Sequence, residues 1–290
     1  MGEEHNVASD RRRPPRPRAL HRYGQNHLVD ANILRAIVEQ AAVLPGDVVL
    51  EVGAADGQLT RPLLARARLV HAFEIDRRFA HQLDELAQRH DTLRVHFGDA
   101  LKQDLAALDP LPTALVANLA YNIAIPLLMT SIERLPSLRR WGVMVQKELA
   151  DRLFAVPSTK AYSAVSVLAQ VTCEAERSRA VPPSAFRPRP RVDSSFVTFH
   201  RREQGGVGQA EYKTLARLVR VAFGQRRKVL TNSLAGAVIA GSPLQRDDVR
   251  DALVAVSASP GARPEELAPA QWREFVRQLA GGPACSQAEL

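Results

Sequence analysis

Short apolar runs alternate with helical stretches between residues 48 and 145, and this alternation restricts the fold more than any other feature. The apolar runs have the length of buried strands: Val48–Val52, Leu69–Glu74, Leu93–Phe97, Ala114–Ala117 and Trp141–Val145. Helical spacing follows the first two runs, at 59–67 and 79–87. Strands separated by helices predict a parallel, doubly wound α/β sheet. Right-handed crossovers then bring all the strand ends to one side of the sheet.

Length and composition exclude several classes of protein. The 290 residues can form one large domain, or a large domain and a small one. With 46% apolar residues but no run of about 18, the chain predicts a globular core and no membrane span. The N-terminus has no apolar signal segment. Cys173 and Cys285 lie far apart, so we predict neither a disulfide framework nor a metal site, and expect a cytoplasmic protein.

The positive charge is concentrated in one part of the chain. The formal net charge is +8, yet residues 177–228 alone hold 13 basic residues against three acidic ones. Such a basic block on a nearly neutral body is typical of a polyanion binder, although a solvated Arg-rich surface is the alternative. Residues 1–19 include five arginines and three prolines within Arg11–Arg18. We predict a disordered basic arm there, which either contacts phosphates or keeps the protein soluble.

A chemically consistent set of residues follows four successive strands. The turn Gly53–Gly57 follows the first strand, Glu74 ends the second, Asp99 follows the third and Asn118–Tyr121 follows the fourth. Ligands of open α/β sheets bind beyond the carboxyl ends of the strands. An acid about twenty residues after a glycine turn can bind ribose hydroxyls, and Asp99 would meet an adenine amine. The four positions together predict a nucleoside site.

The Asn118–Tyr121 segment indicates what that site does. A side-chain amide can hydrogen-bond the edge of a base, and the Tyr121 ring can stack on its face. Together they would hold an adenine while its exocyclic amine is alkylated. The turn has Ala55 where a dinucleotide fingerprint needs glycine, and no second nucleotide half follows. S-adenosylmethionine therefore fits better than a dinucleotide, since methyl transfer needs mainly alignment.

Eight segments in order resemble the motifs of the ribosomal RNA adenine dimethyltransferases. They are 23–30, 51–60, 73–76, 98–100, 118–128, 145–153, 181–194 and 223–228. The resemblance runs from about residue 21 to 280. It implies a Rossmann-like class I methyltransferase sheet with a small C-terminal helical domain, and S-adenosylmethionine as the cofactor.

The family has two branches, which modify different ribosomal subunits. One dimethylates adjacent adenines in a small-subunit hairpin during ribosome assembly. The other methylates a large-subunit adenine and confers macrolide resistance. The segment 146–148, Asn122 and the segment 225–228 resemble the first branch, which we favour. A third possibility is an assembly factor that binds RNA and cofactor but turns over poorly.

The resemblance also implies a role for each matching residue. Gln25, Asn26, Leu28 and Gly53 would line the cofactor, with Glu74 on its ribose and Asp99 on its adenine. Asn118 is expected to contact the cofactor as well as the target amine. The Asn118 side-chain oxygen and the Leu119 carbonyl would accept hydrogen bonds from the target amine. Tyr121 and Phe186 would stack on opposite faces of the target base. An unpaired base in a hairpin loop can be turned out of the loop at a low cost in free energy.

Three positions depart from the family pattern. Ala120 replaces the usual proline, Ala55 replaces a glycine and His27 replaces a phenylalanine. We expect a looser loop at Ala120 and a crowded turn at Ala55. The consequence to test is an enzyme that has a lower rate or cofactor affinity, or that acts on a different substrate.

We predict four segments along the chain. They are the arm 1–19, the methyltransferase domain 20–180, a crossing segment 181–200 that completes it, and a helical RNA-binding domain 201–290. Within the last of these, residues 211–240 are expected to be helical. The predicted phosphate contacts are Arg187, Arg189, Arg191, Arg226, Arg227 and Lys228. The predicted partner is ribosomal RNA or a ribosomal subunit particle, bound by a monomer.

Overall fold

A computed structural model describes residues 26–203 and 207–281 of the chain. The predictions for the arm 1–19 and for Gln25 lie outside the described residues. Within the described ranges, no helix is both long enough and apolar enough to cross a membrane.

The described residues form eleven strands, of which seven make one central sheet and four make two small two-stranded sheets. The strands are β1 (His27–Leu28), β2 (Val48–Val52), β3 (Leu69–Glu74), β4 (Leu93–Phe97), β5 (Ala114–Asn118), β6 (Arg140–Gln146), β7 (Cys173–Val181), β8 (Phe186–Arg187), β9 (Ser194–Arg201), β10 (Val238–Ile239) and β11 (Ser242–Pro243). The small sheets pair β1 with β8 and β10 with β11. The order in the large sheet is β4-β3-β2-β5-β6-β9-β7. β2 to β6 are parallel, as predicted, whereas β9 runs antiparallel to both β6 and β7.

Helices cover both faces of this sheet. They are α1 (Ala31–Gln40), α2 (Thr60–Leu64), α3 (Ala80–Arg89), α4 (Tyr121–Arg134), α5 (Lys147–Leu153), α6 (Ala164–Gln170), α7 (Gln209–Gly224), α8 (Leu230–Ser233), α9 (Arg246–Ala255) and α10 (Pro269–Gly281). The Asp30 carboxylate fixes the start of α1, because it accepts hydrogen bonds from the backbone N–H groups of Asn32 and Ile33.

Alternate strand residues enter two separate hydrophobic cores. Val49 and Val116 pack with α1, α2 and α3 on one face. Leu50 and Leu115 pack on the other face, in a core that includes Trp141 and continues through the helices from α4 to α10. This period-two alternation is what a sheet buried on both faces requires. The predicted boundary at residue 201 coincides with the end of β9, but the helices beyond it share the core of the sheet, so the division into domains stays a prediction.

The predicted helix over residues 211–240 is wrong beyond Gly224. α7 ends there, and a short turn leads to the single-turn helix α8. The hairpin of β10 and β11 then turns through Ala240 and Gly241, whose φ angles are 46° and 85°. Two positive φ angles are what a two-residue hairpin turn needs, and they cannot occur inside a helix.

The predicted crossing segment 181–200 contains most of β9 and the connection that leads to it from β7. Within that connection, β8 pairs antiparallel with β1, so that Phe186 lies opposite Leu28. The backbone N–H of Val29 also donates to the carbonyl of Ala185, at 2.8 Å. The connection therefore brings Phe186 to the sheet edge where the parallel strands end.

Candidate active site

The carboxyl ends of β2, β3, β4 and β5 open into one cavity. Its lining residues are Asn26, His27, Val52, Gly53, Ala55, Phe73, Glu74, Ile75, Gly98, Asp99, Ala100, Asn118, Leu119, Ala120, Tyr121, Asn122, Ile123 and Phe186. Eight of the predicted site residues are among them. Leu28 is not, because it is buried in β1 behind Phe186.

The Glu74 carboxylate is held by two backbone N–H groups. Oε2 accepts from Ala55 at 2.7 Å, and Oε1 accepts from Asp76 at 2.8 Å. These bonds tie the end of β3 to the turn after β2. Burial raises the pKa of Glu74 above its usual value, and the nearby Asp76 charge adds to this. Each carboxylate oxygen can accept a further hydrogen bond, which leaves Glu74 able to bind a hydroxyl in the cavity.

Glu51, in the middle of β2, is a buried acid that our sequence analysis did not single out. It is 1% exposed, and neither of its carboxylate oxygens has a hydrogen-bond partner among the described residues. Burial, with the Glu74 charge as a smaller contribution, raises the pKa of Glu51 to about 8. The signal for a buried acid in the sequence was a single acidic residue, Glu51, within the apolar run Val48–Val52.

Glu51→Gln is expected to raise the free energy of unfolding more at pH 8 than at pH 5. The pKa of Glu51 rises from 4.5 to about 8 on folding, so its protonated form is favoured in the folded protein. The contribution of Glu51 to the free energy of unfolding is therefore fully present below pH 4.5, and it is lost as the pH rises toward 8. Denaturant titrations of both proteins at the two pH values measure the effect, and an equal difference at both would contradict it.

The turn after β2 has a left-handed backbone at three sites, Gly53, Ala55 and Gly57. Gly53 has φ of 85°, and a Cβ there would lie 3.6 Å from the Asn118 carbonyl oxygen. Ala55 has φ of 49°, a conformation that costs a residue with a Cβ about 1 kcal/mol or more. The expected crowding at Ala55 is therefore a strain of the backbone itself.

Ala55→Gly is expected to leave the protein as stable as before, or more stable by up to about 1 kcal/mol. Relief of the left-handed strain offsets the extra freedom that glycine gives the unfolded chain. Ala36→Gly inside α1 is the matched control and should destabilise by about 0.5–1 kcal/mol. Thermal unfolding compares them, and equal losses for the two variants would show that Ala55 is not strained.

Asp99 and Asn118 present polar groups on the next two strand ends. Asp99 is half-buried, and its Oδ1 accepts from the Leu101 N–H at 3.0 Å. The Asn118 Nδ2 donates to the Asn26 carbonyl at 3.0 Å, across 92 positions of sequence. This bond fixes the orientation of the amide. The Asn118 oxygen has no hydrogen-bond partner within the described ranges and can accept one from a ligand.

Two aromatic side chains, Tyr121 and Phe186, line the cavity. Tyr121 begins α4 and is half-buried, and its hydroxyl is 3.0 Å from the Ser194 Oγ. Phe186 is only 1% exposed and belongs to a hydrophobic core as well as to the cavity lining. Its truncation would consequently disturb the fold, which makes Tyr121 the cleaner position for testing base stacking.

Comparisons with known proteins agree with this geometry. A sequence profile described as ribosomal RNA adenine dimethylase matches residues 17–248. The small-subunit ribosomal RNA methyltransferase A of Rubrobacter xylanophilus is 41% identical over 92% of this chain and 97% of its own length. The protein of that name from Kineococcus radiotolerans is 43% identical, over 89% of this chain and 85% of its own.

The chain belongs to the ribosomal RNA adenine dimethylase family. It is therefore a ribosomal RNA adenine methyltransferase. Two solved structures resemble it. One is a dimethyladenosine transferase from Plasmodium falciparum, with a TM-score of 0.72, 25% identity and coverage of 86% of this chain and 95% of the other. The second is the 23S ribosomal RNA methyltransferase ErmE, with a TM-score of 0.66, 27% identity and coverage of 88% and 99%.

The structure divides the predicted phosphate contacts of this dimethylase into two groups. Arg226 is engaged internally: it pairs with Glu265 and donates to the carbonyls of Lys160 and Thr159 at 3.0 and 2.9 Å. Its guanidinium thereby joins two loops, and its predicted contact with phosphate stays a prediction. The other predicted contacts are exposed: Arg187, Arg189, Arg191, Arg227 and Lys228. Among these, the Arg187 guanidinium also donates to the carbonyls of Phe186 and Ser184, at 2.9 and 3.3 Å.

The dimethylase cavity also has lining residues that we did not predict. Ile75, Ala100 and Ile123 lie among the cavity residues, and the exposed Asn122 lies at its rim. His27 is buried, with its ring edge-on to Phe79 at a centroid distance of 5.6 Å. It occupies an interior position, as the phenylalanine that it replaces would. These positions lie inside the motif segments 23–30, 73–76, 98–100 and 118–128, but we predicted no role for them in lining the site.

Proposed function

We propose that this enzyme transfers methyl groups from S-adenosylmethionine to N6 of adjacent adenines in a small-subunit ribosomal RNA hairpin. The observation that carries the proposal is the Asn118 amide, which lines the cavity: its Nδ2 donates to the Asn26 carbonyl, and its oxygen has no partner among the described residues. The relatives at 41% and 43% identity favour the small subunit, since both carry that substrate in their names. We propose the cytoplasm as the compartment because ribosomal subunits are its substrate.

The cofactor half of the cavity fits a nucleoside with a short charged tail. At Gly53 the backbone can approach a ligand closely, because a Cβ there would take up space next to the Asn118 carbonyl. Glu74 and Asp99 offer carboxylate oxygens on the next two strand ends, to ribose hydroxyls and to the adenine amine respectively. When bound, S-adenosylmethionine would supply an electrophilic methyl group. We propose that Asn26 and Gly53 contact its methionine side.

The target half would align the adenine amine by hydrogen bonding and stacking. In the first transfer the Asn118 oxygen and the Leu119 carbonyl would each accept one N–H of the amine, and in the second one of them would accept the N–H that is left. These bonds aim the nitrogen lone pair away from the acceptors and toward the methyl group. Tyr121 and Phe186 would hold the base between their rings. No general base is required before the nitrogen attacks. The proton is released afterwards from a cationic amine, which is strongly acidic.

Exposed arginines and lysine would hold the RNA backbone near the cavity. Arg187, Arg189 and Arg191 belong to the connection that carries Phe186, so they would lie beside the target base. Arg227 and Lys228 follow the end of α7. These charges would position the hairpin, while the cavity selects the base.

Arg227→Ala with Lys228→Ala is expected to weaken RNA binding and flatten its salt dependence, by about 0.7–0.9 units of slope for each phosphate that is no longer neutralised. Arg226→Ala is the matched control. It should lower the free energy of unfolding but retain the slope, because its guanidinium is bonded internally. Filter binding over a range of salt concentrations measures the slope. If only the Arg226 variant had a flatter slope, the assignment would be reversed.

Methyl transfer to purified particles distinguishes the small-subunit proposal from its alternatives. Labelled S-adenosylmethionine is supplied with undermethylated small-subunit particles in one arm and large-subunit particles in the other. We expect label in the small-subunit RNA only. Label in large-subunit RNA would favour the resistance branch, and the 23S ribosomal RNA methyltransferase ErmE does resemble this chain in fold. Tight particle binding without transfer would favour an assembly factor with weak turnover.

A further inference from the structure

The Tyr121 side chain is attached where a loop of the cavity wall meets a helix. Tyr121 is the first residue of α4 and follows the loop residue Ala120, which has φ of −61° and ψ of 137°. An alanine does not restrict φ to this value, whereas a proline would. Rotation about the bonds of Tyr121 and Ala120 would move the aromatic ring across the cavity. The position of the ring therefore depends on the group that holds its far end, the Tyr121 hydroxyl.

The far end of the ring is held by Ser194. The hydroxyl oxygens of Tyr121 and Ser194 are 3.0 Å apart, and this is the side-chain hydrogen bond that Tyr121 makes within the described part of the chain. The two residues are 73 positions apart in sequence. The bond joins the wall of the cavity to the central sheet.

Ser194 itself is fixed on both sides. It is the first residue of β9 and is only 1% exposed. Its backbone is paired with Gln146 of β6 on one side and Val181 of β7 on the other. A serine has a single side-chain torsion that places the oxygen. The Ser194 hydroxyl is thus a rigid anchor, whereas the loop before Tyr121 is not.

The same anchor relates the two aromatic walls. Phe186 lies in the connection that leads from β7 to Ser194, and is itself paired with Leu28 through β8 and β1. The Tyr121–Ser194 bond therefore ties the Tyr121 ring to the segment that carries the opposite ring. Loss of the bond would free the spacing between the rings without removing either of them.

We propose that Ser194 is a positioning residue for methyl transfer, and that its hydroxyl holds the Tyr121 ring parallel to the target base. The inference rests on the proposed function. In this chain Ala120 leaves the φ angle before Tyr121 unrestricted. The Tyr121–Ser194 hydrogen bond therefore orients the Tyr121 ring, a restraint that a proline at position 120 would supply in part. The effects of changes at 194 and 120 should therefore be coupled.

The test measures single-turnover methylation of small-subunit particles, together with cofactor affinity and thermal unfolding. Ser194→Ala and Tyr121→Phe should each lower the rate constant at saturating RNA by about 3- to 10-fold, the factor that a neutral hydrogen bond contributes. The double variant should lose no more than either single one. Cofactor affinity should not change. Ser195→Ala is the matched control, since Ser195 is the adjacent buried serine of β9, and it should keep the wild-type rate.

A second arm adds Ala120→Pro, which the backbone tolerates because φ of −61° is close to the proline value and the Ala120 N–H has no partner among the described residues. In that background, Ser194→Ala should cost less than about twofold in rate, because the ring of proline already restricts φ.

Three results would overturn the proposal. They are a wild-type rate for Ser194→Ala, losses that multiply in the double variant, or an undiminished loss in the proline background. If Ser194→Ala does not fold, Tyr121→Phe tests the same bond from its other end. Absence of methylation by the wild-type enzyme would instead refute the proposed function, and so the two failures are distinguishable.

Discussion

Replacing Asn118 with alanine is expected to lower the methylation rate constant by about 100- to 1000-fold, the loss that follows removal of one aligned polar group from a reaction centre. The Asn118 oxygen is the group that would fix the target amine, and its Nδ2 already donates to the Asn26 carbonyl. Cofactor affinity should fall far less than the rate, because the amide oxygen would bond the target base. Single-turnover kinetics at saturating cofactor, with calorimetry for binding, separate the two quantities.

The control for Asn118→Ala is Asn32→Ala, which removes an exposed amide on α1. It should leave both the rate and the cofactor affinity unchanged. Near-wild-type turnover by the Asn118 variant would contradict amine alignment by this residue. A loss of cofactor binding as large as the loss of rate would mean that Asn118 acts on the methyl donor and not on the adenine.

Glu74→Ala is expected to have a large effect on both binding and folding. It removes the acceptor of the Ala55 and Asp76 N–H groups, so the free energy of unfolding should fall by about 1–3 kcal/mol. It also removes the proposed bonds to ribose hydroxyls, so cofactor binding should weaken by about 1–3 kcal/mol. Denaturant unfolding and calorimetry measure the two effects on the same protein.

Asp84→Ala, an exposed acid on α3, is the control for Glu74 and should alter neither quantity. Glu74→Gln should retain more stability than Glu74→Ala, since an amide oxygen can still accept one of the two N–H bonds. Unchanged cofactor affinity in Glu74→Ala would refute its ribose role. Unchanged stability would mean that the backbone bonds are replaced by water.

The sequence was sufficient to predict the parallel part of the sheet and the residues at its strand ends. The apolar runs have the period and length of buried strands, and Glu74, Asp99 and Asn118 terminate or follow three of them. Parallel strands must place these ends together, so a local pattern predicted a common cavity. The fold and the cavity lining confirm that part of the analysis. The roles assigned to the individual residues stay predictions.

Features that depend on distant contacts could not be predicted in the same way. β7 is rich in charged residues and lies at the sheet edge, so it carries no buried apolar run. Arg226 lies in the basic cluster 226–228, which is typical of a phosphate contact. Its guanidinium nevertheless bonds Glu265 and the carbonyls of residues 159 and 160. The end of α7 shows the limit of helical periodicity. An apolar pattern continues past Gly224, but the chain there turns toward a hairpin.

Nucleoside mass spectrometry of the modified RNA tests the central claim most directly. Undermethylated small-subunit particles are incubated with the enzyme and S-adenosylmethionine, and the ribosomal RNA is digested and sequenced by mass. The account predicts N6,N6-dimethyladenosine at two adjacent positions of one hairpin, formed at least about 100-fold more slowly when Asn118 is replaced by alanine. Methyl groups on another base, on a ring nitrogen of adenine, or formed at the wild-type rate by the Asn118 variant would contradict it.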